Sequence, residues 1–456
     1  MNDYEKYFND MLKISPSISF LFGIKNKKTL STIENNYDCN YNQDYYNILK
    51  KYINTKDYIL KQIIKKELKN VNYHFDLMPL MSFENIIINF DADNKTLYPK
   101  NNLYFKMRKN DFKKKIEKII YKMRIGLKKK ITIPKIICKK VIKQLEKTSY
   151  TNLINFLKKE YYPKCRNNIG LCHLRNGKKM YKYLINVIYG IKLSPEKIHN
   201  IGKKLIKKFK NIEIEKYNNK DEILKDFHIH YDNIYNNILP KYFNYIPEKK
   251  CKIKIVPKEL EKTNGLAYFN SIENKFYINF NNIKMFNKKS LKTLIMHETD
   301  PGHHYQFDYF KYKKLPLYKI YGYQNTALVE GWAFYSEKLD DNNNGTEEYN
   351  QLRIIRLVVD TGINYYGWSF KKAFNYMKKH LNINNDEIKQ EIERYISIPS
   401  QALCYYIGYL NILYLKKLYI EKYKIGNIKD FHDFILKDGV VPFNYLKYKL
   451  LKLKSK

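Results

Sequence analysis

The chain holds 456 residues, 44% hydrophobic and 29% charged, which excludes wholesale disorder, a collagen-like repeat and a small disulfide-stapled scaffold. No apolar run reaches the roughly 18 residues of a membrane span, and the opening MNDYEKYFNDMLKIS has no basic stretch followed by an apolar one. A cytoplasmic protein with no membrane attachment is therefore expected, with its six scattered cysteines as reduced thiols.

The charge balance is lopsided: 85 Lys and Arg face 45 Asp and Glu, a formal net charge of +40. Such an excess points to anionic partners. Yet only seven of the 85 are Arg, while Lys, Asn, Ile and Tyr are heavily used and Ala and Gly are scarce. That is the mark of AT-rich codons, and the lysines run along the whole chain. The expectation is weak, salt-sensitive polyanion binding and no specific nucleic-acid site.

In chain order, residues 1–235 read mostly as helices. Segments 111–124, 136–147 and 196–210 carry apolar residues at helical spacing. Ser194, Pro195 and Glu196 form a cap with proline in the first turn. Between 251 and 283 the pattern changes to short β-branched or aromatic stretches, CKIKIVP, GLAYFNS and KFYINF, which predict one small sheet. From 289 the helical pattern returns, broken at Pro301, over 342–346 (a solvated loop) and at Pro399. The expected fold class is mainly α with one small β-sheet. An N-terminal helical region (1–235) would form one wall of a cleft, and a catalytic region (236–456) the other.

Three of the ten histidines fall within eight residues, in LIMHETDPGHHYQ. A helix bearing H-E-x-x-H puts two imidazoles on one face, where both reach one zinc, with the Glu beside the first aimed at its water. Here position i+4 from His297 is Pro301. Removing Pro301 and Gly302 leaves His297-Glu298-Thr299-Asp300-His303, an intact H-E-x-x-H. In an unbroken helix His303 would lie about 240° round and about 9 Å along. Pro301 cannot donate to the carbonyl of His297, and Gly302 tolerates unusual backbone angles. The pair can bulge out and return His303, in preference to His304, to the metal.

A catalytic zinc needs a third protein ligand and an open position. ALVEGWAFYSEKL supplies Glu330 and Glu337, on one helix face but about 10.5 Å apart, so only one can bind the ion. Glu330 sits in an apolar stretch where an unpaired carboxylate is costly. Glu337, next to Lys338, reads as solvent-facing. The predicted metal ligands are His297, His303 and Glu330, holding one Zn2+ per chain.

H-E-x-x-P-G-H-H-x-Q followed by E-G-W-A resembles the bacterial family catalogued as domain of unknown function 885. The resemblance extends over roughly residues 160–410. It includes CRNNIGLCHLRNGKKMYKYLINVIYGIKLSPEKIHNIG, VVDTGINYYGWSFKKAF and RYISIPSQALCYYIG, and both tryptophans, Trp332 and Trp368, fall inside these blocks. It implies a gluzincin-like zinc metallopeptidase, related in fold to the thermostable carboxypeptidases and more distantly to the thimet oligopeptidases. Three departures stand out. Asn364 replaces a usual His, and Ser400 and Tyr406 replace the Gly and Lys of the last block.

The roles that follow are these. Glu298 is the general base on water and passes the proton to the leaving amine. The resemblance offers Tyr405, with Tyr406 behind it, as donor to the oxyanion. Asp360 hydrogen-bonds a ligand histidine or, as an equal alternative, caps a helix, and His304 supports the site from behind. The strand KFYINF could pair with an extended peptide or be an ordinary core strand. Arginine is rare here, so Arg356 or Arg394 is a candidate for the planar fork that grips a peptide's C-terminal carboxylate. Their alternative is pairing with internal acids such as Asp360 or Glu391. The reading is peptide hydrolysis, on short peptides. The alternatives are a peptidase-like protein that binds a peptide or partner without turnover, and a basic nucleic-acid-associated protein.

Overall fold

The computed structural model describes residues 1–32, 39–70, 73–82, 90, 102–146, 148–189, 193–209, 214–258, 260–261, 264–323, 325–340, 345–423 and 427–452. It is mainly helical with one three-stranded sheet. The chain forms two compact units. Unit 1 comprises Met1–Lys182, Gly362–Phe374 and Asp386–Pro399; unit 2 comprises Tyr183–Thr361, Asn375–Asn385 and Ser400–Lys456. The sequence suggested a division at 235; by contacts the first unit ends at Lys182 and takes back two later segments.

In unit 1 the longest helix is Asn102–Lys128. Helix Lys135–Leu145 buries Ile137, Cys138, Val141, Ile142 and Leu145, the face that the helical spacing predicts. In unit 2 helix Pro195–Ile206 starts as its capping sequence requires, with Ser194 Oγ accepting from Lys197 N–H at 3.2 Å. Of the loop expected over 342–346, positions up to 344 lie outside the described residues, and a helix begins at Thr346. Among the described residues no helix is long and apolar enough to cross a membrane.

Three strands make up the sheet, β1 (Lys252–Ile255), β2 (Ala267–Asn270) and β3 (Lys275–Ile278), in the order β1-β3-β2. β3 pairs parallel with β1 and antiparallel with β2. KFYINF is thus the central strand and cannot accept a peptide; β1 and β2 are the two edges. β3 alternates, with Phe276 and Ile278 buried and Lys275 and Tyr277 turned the other way. Phe276 stacks on Phe227 at 5.4 Å. Phe227 and Tyr231 of helix Lys220–Asn233, the buried face of β3, and Leu294, Ile295 and Met296 of helix Lys288–Glu298 share one core. Each such side chain contributes about 1.5–3 kcal/mol by leaving water. This core fixes the helix that ends in His297 and Glu298 against the sheet.

Candidate metal centre

Helix Lys288–Glu298 stops at Thr299, and a second helix, His303–Tyr312, starts after Gly302. The intervening residues do not bulge from one continuous helix, as the spacing had suggested. They break it in two, and His303 becomes the first residue of the new helix. The Asp300–Pro301 peptide is cis. A Cβ on Gly302 would lie 1.9 Å from the carbonyl oxygen of His297, so the chain can turn back this tightly only with glycine there. The turn brings the His297 and His303 rings to 4.8 Å, at 80° to each other.

The third group arrives on helix Thr326–Ser336. That helix lies against Cys404–Tyr423 at backbone contact distance: a Cβ on Gly331 would meet the Gly408 backbone at 2.4 Å. Trp332 Nε1–H donates to the Pro301 carbonyl at 3.0 Å, and Ser336 Oγ–H donates to the same oxygen at 3.2 Å. The helix that carries Glu330 therefore also pins the turn that carries His303. Glu330 Oε2 lies 3.3 Å from His297 Nε2 and 3.5 Å from His303 Nε2. The ligand atoms of His297, His303 and Glu330 all fall within 4.8 Å of one another.

The donor chemistry fits a metal ion. Glu330 Oε2 is buried with no hydrogen-bond partner and lies between the Nε2 atoms of the two histidines, an arrangement that a cation among the three residues would relieve. Two imidazoles and one carboxylate form the ligand set of a catalytic zinc. Burial pushes the Glu330 carboxyl up, but the two imidazoles beside it hold it well below the usual carboxylate range. Burial lowers His297, and the Glu330 and Glu337 carboxylates close to its two nitrogens outweigh that, raising it to about 9. A metal at His297 would therefore bind in competition with a proton.

Glu337 is the residue that sequence reasoning misplaced. Expected to face solvent, it is fully buried. Its Oε1 lies 2.7 Å from His297 Nδ1, and Arg353 grips it with both nitrogens, at 2.6 and 2.7 Å. Two helical turns separate it from Glu330, so the two acids take the two nitrogens of one imidazole. Asp360 does not fill this role: it is buried and accepts from Ser400 N–H with both oxygens, at 3.1 Å. The signal for Glu337 was its seven-residue spacing from Glu330; its lysine neighbour in sequence obscured it.

Glu298 follows His297, with its carboxylate under the influence of both imidazoles and Glu330. Oε2 accepts from Phe269 N–H of β2 at 2.9 Å. Burial raises its pKa, the direction that suits a proton acceptor working near neutrality. His304 points elsewhere. Its Nδ1 pairs with Asp300 Oδ1 at 2.8 Å, and Tyr231 O–H donates to the other oxygen of Asp300. It anchors the turn.

Tyr405 sits on the first turn of helix Cys404–Tyr423, its ring 6.2 Å from that of His297. The guanidinium of Arg356 lies over it at 4.8 Å. Tyr406 points away and packs on Phe334 and Tyr409, and burial lifts its pKa to about 12. Arg394 lies in unit 1 and donates to Glu391 at 3.0 Å. Asn364, also in unit 1, accepts from Leu171 N–H at 3.2 Å and donates to the Tyr395 carbonyl at 3.0 Å. That departure from the family pattern serves local backbone bonding.

Over residues 210–450 the chain matches the family model described as "Bacterial protein of unknown function (DUF885)". No functionally curated protein matches it. Two solved structures are similar in fold. One is a "putative lipoprotein" from Colwellia psychrerythraea, 20% identical over 99% of both chains, with a TM-score of 0.79. The other is a "putative lipoprotein of unknown function" from Shewanella oneidensis, 15% identical over 99% of both chains, with a TM-score of 0.70.

Proposed function

The chain belongs to the DUF885 family of bacterial proteins of unknown function, and we propose that it is a zinc-dependent peptidase of the gluzincin type that acts on short peptides. The observation that carries this reading is the convergence of His297 Nε2, His303 Nε2 and the Glu330 carboxylate within 4.8 Å, next to Glu298. His297, His303 and Glu330 would hold the ion. Bound there, zinc supplies Lewis acidity, which polarises a carbonyl and acidifies water.

The remaining steps belong to the chain's own residues. Glu337 accepts the Nδ1 proton of His297 and so keeps the Nε2 lone pair available. Phe269 N–H fixes one oxygen of Glu298, leaving the other to take a proton from water and pass it to the departing amine. The hydroxyl of Tyr405 is the candidate donor to the developing oxyanion. The Leu266 carbonyl accepts from Asn279 N–H, so the alternating antiparallel pattern turns Ala267 and Phe269 away from β3, toward the sheet edge. A substrate backbone could pair in extended form with Ala267 and the Phe269 carbonyl, the Phe269 N–H being held by Glu298.

The test joins metal analysis with peptide turnover. The expected result is one zinc per chain, lost in His297→Ala, His303→Ala and Glu330→Ala, together with hydrolysis of short peptides. Zinc retained at full occupancy in all three variants would reject the site. A zinc-loaded protein that binds peptides and cleaves none would favour the reading without turnover.

A further inference from the structure

We propose that unit 1 carries a second, separate site, a pocket that binds a small anion bearing two or more phosphates. The pocket, about 690 Å³, is lined by twelve residues. Lys69, Lys128, Lys129, Lys130, Arg175 and Lys179 are among them, and none of the twelve is acidic. With 85 basic and 45 acidic residues in 456, twelve drawn at random would hold about two of the first kind and one of the second. The general lysine bias of the chain does not account for this lining.

Its construction is also unusual. Of the six non-glycine residues with positive φ among the described residues, His74 (56°), Lys130 (57°) and Asn176 (62°) line this one pocket. Lys130 is the turn residue after helix Asn102–Lys128, with Ile131 N–H closing back on the Gly126 carbonyl at 2.8 Å. Glycine is the least costly residue at such a position, and here a lysine occupies it. Gly126 lets this helix end approach the turn after His74: a Cβ on it would lie 3.0 Å from the Leu77 carbonyl oxygen. Arg175 and Asn176 form the turn that leads into helix Gly177–Tyr189. The first turn of that helix contains no acid and presents Lys179 to the pocket. A helix N-terminus disfavours cations and favours anions. Arg124, Arg353 and Arg394 each grip a carboxylate, whereas Arg175 is exposed and forms no hydrogen bond or ion pair with the described residues.

The mutual repulsion of these cations and the placing of Lys179 at a helix N-terminus are unfavourable in the empty pocket and become favourable once an anion sits in it. Several cations around one concave space call for more than one phosphate, and the planar fork of Arg175 suits phosphate oxygens. A bounded pocket, unlike a continuous basic track, favours a small molecule over a nucleic-acid strand. Ile131, Leu174 and Met180 add an apolar wall that an organic moiety could cover.

The test is calorimetric titration of the full chain in about 0.15 M salt with inorganic tripolyphosphate, ATP and a single-stranded oligonucleotide. The proteins are wild type, Arg175→Glu with Lys179→Glu, and a control pair on the same chain, Lys113→Glu with Lys225→Glu. The expected result is saturable one-to-one binding of tripolyphosphate or ATP, weakened at least tenfold in the pocket variant and kept within threefold in the control. ATP binding more tightly than tripolyphosphate would identify a nucleotide as the source; equal binding would identify inorganic polyphosphate. Lys179→Glu favours its own helix end, so the variant should fold, and the anion should raise the melting temperature of wild type and leave that of the variant unmoved. No saturable binding, equal loss in the control pair, or tighter Arg175-dependent binding of the oligonucleotide would overturn the proposal.

Discussion

Glu337 Oε1 lies 2.7 Å from Nδ1 of His297, the nitrogen opposite the one that faces Glu330. One imidazole is thus held between two acids from the same helical stretch, Glu330 partly and Glu337 fully buried, and Arg353 neutralises the outer one with a two-pronged grip. The ring can neither rotate nor change tautomer without breaking a buried charge network.

Glu337→Ala should therefore lower zinc affinity by about 10- to 100-fold, the usual cost of losing the partner of a ligand histidine. It should also destabilise the fold by about 3–5 kcal/mol, because Arg353 is left buried and uncompensated. Competition with a chelator measures the first effect and urea unfolding of the metal-free protein the second. Unchanged affinity in a folded variant would remove Glu337 from the site.

Glu298→Gln should keep its zinc and lose peptide hydrolysis by about 10²-fold or more, the scale of positioned proton transfer. Zinc content and kcat on one short peptide decide it. A near-wild-type rate would exclude Glu298 as the base.

Gly302→Ala should separate the two histidines. The new methyl would have to occupy space 1.9 Å from the His297 carbonyl oxygen, so the turn must open. Zinc binding is expected to fail, with stability lower by about 1–3 kcal/mol, the range for a forced overpacking. Wild-type zinc affinity in this variant would show that the turn tolerates opening.

The two candidate arginines should differ. Arg356 lies over Tyr405, beside His297, so Arg356→Ala should cost about 10²-fold in kcat/KM on a peptide with a free C-terminus and little on its amidated twin. Arg394 already holds Glu391, and Arg394→Ala should leave the two peptides as they were. Equal kcat/KM for the free and amidated peptides in wild type would mark an endopeptidase.

Away from the site, His432 should make stability fall in acid. Burial lowers it from 6.5 to about 3, with Lys416 adding to the shift. Its Nε2 lies 2.9 Å from the Tyr335 hydroxyl and its Nδ1 2.9 Å from the Tyr242 carbonyl, which together fix a neutral ring. The unfolded chain takes up a proton at pH 6.5 that the folded one refuses until about 3. The stability contributed is full above 6.5 and is lost as pH falls between these values. Its slope is about 1.4 kcal/mol per unit, or about 2 kcal/mol from pH 7 to pH 5. Urea unfolding at both pH values, in wild type and His432→Phe, measures it. An unchanged slope in the variant would assign the pH dependence to other groups.

Local sequence sufficed wherever a pattern closes within a few residues. The caps, the helical spacing of 135–145 and the three short strands follow from period and turn chemistry. The meeting of His297, Glu298, His303 and Glu330 was legible because their residue types and spacing together match a metal-binding pattern. The edge order of the sheet, the burial of Glu337, its clamp by Arg353 and the removal of Tyr406 and Asp360 from the histidines depend on how elements far apart in the chain meet. Residue identity does not say which of two acids seven positions apart faces Nε2 of His297 and which faces its Nδ1. That choice belongs to the close packing at Gly331 and Gly408 and to the turn at Gly302, contacts that exist only once the helices are assembled.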